Sequence, residues 1–262
     1  MQLKDRSVLL TGASSGLGPH LARRLRAAGA RLVLTSRRIA PLESLAAELG
    51  DSRAIPADLS GRGEAERVAA EAGAVDVLVS NAGVPGSGRL DDLSLAEIDR
   101  VLDVNLRAGI MLARLLLPGM LARRSGHLVF MASMAGHVAG PKTSLYNASK
   151  FGLRGFALAL RLELVGTGVG VSLISPTYVS EAGMWAETGQ KASFIVGEVS
   201  PGKVAEAVVS AIERNRREIQ VAPPTSVVGA RLGNLFPGLL ERFSRGAAEH
   251  PDEAVDKQRH KR

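Results

Sequence analysis

Tyr146 and Lys150 stand four residues apart in Tyr-Asn-Ala-Ser-Lys, and Ser133 lies thirteen residues upstream. On a helix, positions i and i+4 share a face, so this spacing aims a phenol and an ammonium at one place. A phenol alone titrates near pH ~10, and a neighbouring cation favours the phenolate, bringing the group toward proton exchange with a substrate oxygen. The same pair can also be an ordinary solvated helix face. Its meaning therefore depends on the elements that position it.

Strand-like runs occur at Ser7 to Thr11, Arg31 to Thr35, Arg53 to Pro56, Val75 to Ser80, Gly126 to Ala132, Gly170 to Ile174 and Glu218 to Val221. Between them lie helical patterns at His20 to Ala28, Pro41 to Glu48, Gly63 to Glu71, Leu95 to Leu121, Ser144 to Val165 and Pro201 to Asn215. Apolar strands alternating with helices predict an α/β chain with a doubly wound, Rossmann-type fold: a seven-stranded parallel sheet flanked by helices on both faces. Ligands of such sheets bind outside the carboxyl ends of the strands, where strand order reverses. Thr11 to Gly18, Ser36 to Arg38, Asp58, Asn81 to Gly83, Ser133 and Pro176 each follow a predicted strand.

The loop Thr11-Gly12-Ala13-Ser14-Ser15-Gly16-Leu17-Gly18 joins the first strand to the first helix with the spacing G-x-x-x-G-x-G. Glycines permit a sharp turn and close approach to a pyrophosphate, and the free amides of the helix start favour negative charge. No Gly-Lys-Ser/Thr follows, which separates it from nucleoside-triphosphate loops. Pro19 is tolerated in a first helical turn. After the second strand, where an NAD-binding protein would place a carboxylate for the ribose 2′-hydroxyl, the sequence is Thr35-Ser36-Arg37-Arg38. A hydroxyl and guanidinium groups suit a 2′-phosphate, so NADP(H) is favoured over NAD(H).

From about Lys4 to Val221 the chain resembles the short-chain dehydrogenase/reductase family. The glycine loop matches the family's nucleotide motif, and Ser80-Asn81-Ala82-Gly83 matches its Asn-Asn-Ala-Gly element with the first Asn replaced. Asn105, Ser133, Tyr146 and Lys150 match the catalytic tetrad. The resemblance implies hydride transfer between a nicotinamide and a carbonyl or secondary alcohol. Tyr146 would be the general acid or base, Ser133 would orient the substrate oxygen, Lys150 would lower the phenol's pKa and bind the nicotinamide ribose, and Asn105 would disturb the local helix and support a proton-relay water. It also implies cofactor contacts for Gly12, Ser14, Ser15, Gly16, Leu17, Gly18, Ser36, Arg37, Arg38, Asp58 near the adenine, Leu59, Asn81, Ala82, Gly83, Tyr146, Lys150, Pro176 and Val179. The family's Pro-Gly after the sixth strand is Pro176-Thr177 here, which adds a β-branched side chain beside the nicotinamide. His137 is read as structural rather than catalytic.

Residues 1–223 form the expected dinucleotide-binding and catalytic domain, with a substrate loop at about 177–200. An apolar extension follows at 224–246 and a disordered basic tail at 247–262. Met184, Trp185 and Phe194 in the loop, with Met134, Val138 and Leu145 opposite, predict a hydrophobic pocket. There is no cysteine, which excludes disulfides, thiolate metal sites and cysteine nucleophiles, and no metal site is expected. The net charge of +7 is spread over the chain without an aromatic-interleaved patch, which argues against nucleic acid. The N-terminal sequence contains no signal-peptide core, so a cytoplasmic location is expected. Helices apolar on more than one face predict a homodimer or homotetramer. Pro237, Arg231, Glu241 and Arg242 argue against a membrane span in Val227 to Phe243, and membrane contact ranks last among its roles. The rival reading is a catalytically silent NADP(H)-sensing regulatory or scaffold protein. The intact tetrad argues against it.

Overall fold

In the computed structural model, which describes residues 1–192, 196–236 and 238, the strands are β1 (Ser7–Thr11), β2 (Arg31–Ser36), β3 (Ser52–Pro56), β4 (Val77–Ser80), β5 (Gly126–Met131), β6 (Val169–Pro176), β7 (Tyr178–Val179), β8 (Glu198–Val199) and β9 (Glu218–Val221). Seven of them form one parallel sheet in the order β3-β2-β1-β4-β5-β6-β9, and β7 pairs with β8 apart from it. The helices are α1 (Gly18–Ala27), α2 (Ile39–Leu49), α3 (Glu64–Ala72), α4 (Leu95–Leu102), α5 (Ala108–Ala122), α6 (Ser144–Glu163), α7 (Gly183–Ala186), α8 (Pro201–Glu213) and α9 (Pro224–Leu235). This is the doubly wound Rossmann-type sheet that the alternation predicts. Strand order reverses between β1 and β4, so the crevice opens between the loops that follow them.

Period-two alternation of buried strands builds the two layers. On β1, Val8 and Leu10 join a core with Leu21 and Leu25 of α1, Leu42 of α2 and Val204 and Val208 of α8. Leu9 points the other way, toward Val68 of α3, Leu112 of α5 and Leu153 of α6. Phe130 and Phe156 pack edge-to-face at 5.5 Å, joining β5 to α6. Each fully buried aliphatic or aromatic side chain contributes about 1.5–3 kcal/mol, so the alternation itself holds the sheet between its layers.

The run read as one helix from Leu95 to Leu121 is divided. Between α4 and α5 lies a π-helical turn, Asp103–Arg107, with buried Asn105 at its centre. A π-turn admits an extra residue into the ladder and is maintained where a side chain has a partner outside the helix. By length and composition Leu95–Ala122 could cross a membrane. Here Val101, Ala108, Leu112, Leu116 and Met120 are buried in the fold.

Two seams fix the carboxyl-end loops. At the first, a Cβ on Gly18 would lie 2.2 Å from the Gly12 carbonyl oxygen and 2.5 Å from that of Ala13, both backbone atoms. At the second, buried His137 places Nε2 3.1 Å from Ser175 Oγ and 3.3 Å from Glu218 Oε1, while its Nδ1 lies 3.0 Å from Gln220 Nε2. Arg154 of α6 donates through Nε to the same Glu218 oxygen at 2.8 Å. Burial alone would raise the Glu218 pKa, but the hydrogen bonds from His137 and Arg154 override it and hold the carboxyl down at about 2.

Gly18→Ala is expected to cost about 1–3 kcal/mol through overpacking, lowering Tm by roughly 2–4 °C per kcal/mol in thermal unfolding. Glu218 has a depressed folded pKa, so its stabilisation is present above its ordinary value of 4.5 and is lost as pH falls toward 2. Thermal unfolding over that range should show a falling acid limb that Glu218→Gln flattens.

Candidate active site

Thr11 closes β1 with its hydroxyl buried. Its Oγ1 accepts the backbone N–H groups of Asn81 and Ala82, both at 2.9 Å. Asn81 returns the contact, its Nδ2 donating to the carbonyls of Thr11 at 3.0 Å and Gly12 at 3.2 Å. The Asn81-Ala82-Gly83 turn is thereby locked onto the glycine loop. Gly12 holds φ +65°, and a Cβ there would meet Ala82 Cα at 2.8 Å, so the two loops touch backbone to backbone. The α1 N-terminus has no side-chain cap and no acidic residue in its first turn. Its positive dipole end, beside a glycine-walled cradle, fits a dinucleotide pyrophosphate.

Ser36 donates to Ser14 Oγ at 2.8 Å, and Arg38 Nη2 donates to the Ser14 carbonyl at 3.0 Å. Arg38 is thus tied to the glycine loop, whereas Arg37 lines the cleft. Asp58 is exposed and caps the turn after β3, accepting from Ser60 N at 3.1 Å and Ser60 Oγ at 2.7 Å; Leu59 is buried beside it.

A cleft of about 670 Å³ runs along the carboxyl ends of the strands. It gathers Gly12, Ser15, Gly16, Leu17, Arg37, Asn81, Ala82 and Gly83 on one side and Ser133, Tyr146, Lys150, Pro176 and Val179 on the other. Ser14, Gly18, Ser36, Arg38, Asp58, Leu59 and Asn105 stand behind or beside this wall rather than in it. The volume lies within the range of ligand sites.

Ser133 follows β5 in extended conformation and starts a short 3₁₀ turn, Met134–Gly136, accepting the Ala135 N–H at 3.1 Å. Tyr146 sits half-buried in the first turn of α6, and its phenol shares the cleft with Ser133. One turn on, Lys150 is 4% exposed, with its ammonium 5.6 Å from the phenol ring centroid and donating to the Met131 carbonyl at 2.9 Å. The i, i+4 spacing therefore delivers both groups to one place. The electrostatics differ from the simple expectation. Burial pushes the phenol up to about 12 against the lowering effect of Ser133, and burial brings Lys150 down to about 8. The ammonium is desolvated and engaged by a carbonyl, so its pull on the phenol does not prevail in this arrangement.

Asn105 uses its side chain as a clamp. Oδ1 accepts the Val84 N–H at 2.7 Å, and Nδ2 donates to the Val84 carbonyl at 3.0 Å and Ser149 Oγ at 3.3 Å. Ser149 in turn donates to the Tyr146 carbonyl at 2.8 Å. Asn105 so links the loop after β4 to the helix that carries Tyr146 and Lys150. Its amide is committed to protein partners and does not face the cleft.

Two supporting residues are not singled out by the sequence reading. Buried Asn147 donates to the carbonyls of Ala135 at 2.6 Å and Val138 at 3.0 Å, tying α6 to the Ser133 loop; Ser149 makes the link just described. Both lie inside Tyr-Asn-Ala-Ser-Lys, and polar side chains on the inward face of an amphipathic helix are the signal that could have marked them. On the substrate side, Trp185 stacks on Tyr178 with centroids 4.0 Å apart, and Glu198 Oε1 accepts from both Trp185 Nε1 at 2.9 Å and the Ala192 N–H at 2.7 Å. Met134, Val138, Met184 and Trp185 line the cleft as expected, but Leu145 packs with Leu93 and Val101 instead. Helix α6 turns Leu145 toward α4 while it turns Tyr146 toward the cleft. Phe194 lies outside the described residues. Glu97 and Arg100 give the cleft a charged margin that the apolar loop composition did not disclose.

A profile of the short chain dehydrogenase family matches residues 6–193. The ketoacyl reductase HetN of Nostoc sp. is 41% identical over 227 residues, covering 84% of this chain and 79% of that protein. Among solved structures, actinorhodin polyketide ketoreductase with NADPH superposes with a TM-score of 0.76 at 29% identity, covering 85% of this chain and 97% of that one. The 3-ketoacyl-(acyl-carrier-protein) reductase from Brucella melitensis complexed with NADH gives a TM-score of 0.77 at 25% identity, covering 86% and 99%. Sequence, strand order and the meeting of serine, tyrosine and lysine in one cleft agree: this chain belongs to the short-chain dehydrogenase/reductase family of oxidoreductases.

Proposed function

We propose that the protein is an NADP(H)-dependent ketoreductase acting on a hydrophobic carbonyl, or on the matching secondary alcohol in reverse. The observation that carries this reading is the single cleft in which Ser133, Tyr146 and Lys150 face the glycine loop, with Arg37 at its far end. The similarity to ketoacyl and polyketide reductases supports the carbonyl class. Arg37 and the Ser36 hydroxyl at the end of β2 favour a 2′-phosphate, since no carboxylate occupies that position to repel it. Apolar residues on the exposed faces of α5 and α6, among them Leu115, Phe151 and Leu162, support a homo-oligomer.

Gly12, Gly16 and the α1 N-terminus would hold the pyrophosphate, and Lys150 the nicotinamide ribose. When bound, the nicotinamide supplies or accepts hydride. The Ser133 hydroxyl donates a hydrogen bond to the substrate oxygen and fixes it beside the phenol. Tyr146 then delivers its proton to that oxygen during reduction and removes it during oxidation. A phenol held at about 12 by burial is a poor acid, so the Lys150 ammonium must act on it for turnover near neutrality. Lys150 provides a positive charge already inside the site, and its amine loses that charge above about pH 8 in the arrangement seen here.

NADPH should protect the protein against thermal unfolding more than NADH, and Arg37→Asp should narrow or reverse the difference; equal protection by both nucleotides refutes the assignment. Tyr146→Phe should lower turnover of hydrophobic ketones by at least ~100-fold, the usual scale of general acid catalysis, while leaving NADPH protection intact. Retained turnover would remove Tyr146 as the acid.

A further inference from the structure

Helix α9 is attached to the body by one face and leaves its apolar face outside. The attached face holds Ser226, whose hydroxyl donates to the Val196 carbonyl, Ala230, which is 6% exposed, and Asn234, whose Nδ2 donates to the His137 carbonyl at 2.7 Å. On the opposite face Val228 is 54% exposed, Leu232 48%, Leu235 71% and the following Phe236 57%. A soluble helix ordinarily turns its apolar stripe inward, so this inversion means that something else meets the stripe. In the sequence the same three- and four-residue spacing continues through Leu239, Leu240 and Phe243.

Charge identifies the occupant. Arg231 is exposed within α9, Arg242 and Arg245 follow in the sequence, and no acidic residue occurs between Glu218 and Glu241. Within α9 itself no carboxylate occurs, so an isologous contact of two α9 helices would leave Arg231 without an acidic partner from that helix; Glu241 lies six residues beyond its end. A lipid surface carrying phosphate groups accepts both features: apolar side chains enter the headgroup boundary and arginines meet the anionic layer. Position adds a third observation. The attached face of α9 bonds to Val196, which lines the cleft, and to His137, which precedes the cleft residue Val138, so the helix stands next to the cleft wall.

We propose that α9 is an interfacial helix that seats the protein on an anionic lipid surface with the mouth of the cleft beside the bilayer. The sequence alone ranked membrane contact last because Pro237 and the interspersed charges rule against a span. Lying in the interface requires no span. The inference stands apart from the reductase reading, since binding to lipid is measured without any turnover.

The test is flotation of the full-length protein with phosphatidylcholine vesicles and with vesicles containing phosphatidylglycerol. The wild type should float with the anionic vesicles and much less with the neutral ones. Leu232→Glu combined with Leu235→Glu should lower the bound fraction at least ~10-fold, and Arg231→Glu should narrow the difference between the two lipids. Both side chains are exposed, so Tm and NADPH protection should stay at wild-type values. A wild type that stays at the bottom of the gradient with anionic vesicles overturns the proposal, as does a double variant that floats equally well. Size-exclusion chromatography without lipid completes the test: a smaller assembly in the double variant would assign the stripe to a second copy of the chain and overturn the lipid reading.

Discussion

The hydrogen bonds that Thr11 accepts from Asn81 and Ala82 hold the whole site together. Strand order reverses between β1 and β4, and diverging loops at such a point would leave an open gap. A single buried hydroxyl taking two amides closes the loops onto one another, and the Asn81 side chain secures the contact from the other direction. The glycine loop keeps its course because Gly12 and Gly18 allow backbone to touch backbone, where any Cβ would push the walls apart. Across the cleft, Pro176 at the end of β6 and Ser133 just after β5 are then placed by the ordinary parallel register of β4, β5 and β6.

The catalytic side shows how desolvation and position oppose each other. Burying Lys150 brings its ammonium down toward neutrality, and burying Tyr146 drives its phenol up. Neither change favours the charged forms that proton transfer requires. The fold compensates by fixing geometry: Asn105 clamps the loop after β4, Ser149 joins that clamp to α6, and Asn147 joins α6 to the Ser133 loop. The π-turn around Asn105 belongs to the same arrangement, since it turns that side chain out of its own helix toward Val84. Preorganisation of this kind supplies orientation that pKa values alone cannot.

Much of the fold was readable in the sequence because alternation and glycine placement are local signals. The seven strands appear where apolar runs of strand length end in turn residues. The glycine loop and Tyr-x-x-x-Lys announce themselves by spacing. Periodicity does not mark the interruption of the long helix at Asp103–Arg107, which only the family resemblance at Asn105 implied, because it depends on a partner, Val84, that is distant in sequence and close only after folding. The cleft's charged margin at Glu97 and Arg100 was hidden for the same reason, as was the withdrawal of Leu145 into a separate apolar cluster.

By itself the sequence determined the layer architecture, the family and the identity of the groups that could do chemistry, since these follow from periodicity and from short motifs with fixed internal spacing. Tertiary structure decided which of those groups share a cleft and which brace it. It separated Arg37, which lines the cleft, from Arg38, which is bound to Ser14, and it turned His137 toward Glu218. It also decided that the apolar face of α9 looks outward, because a helical stripe read from sequence has no inside until another element covers the opposite face.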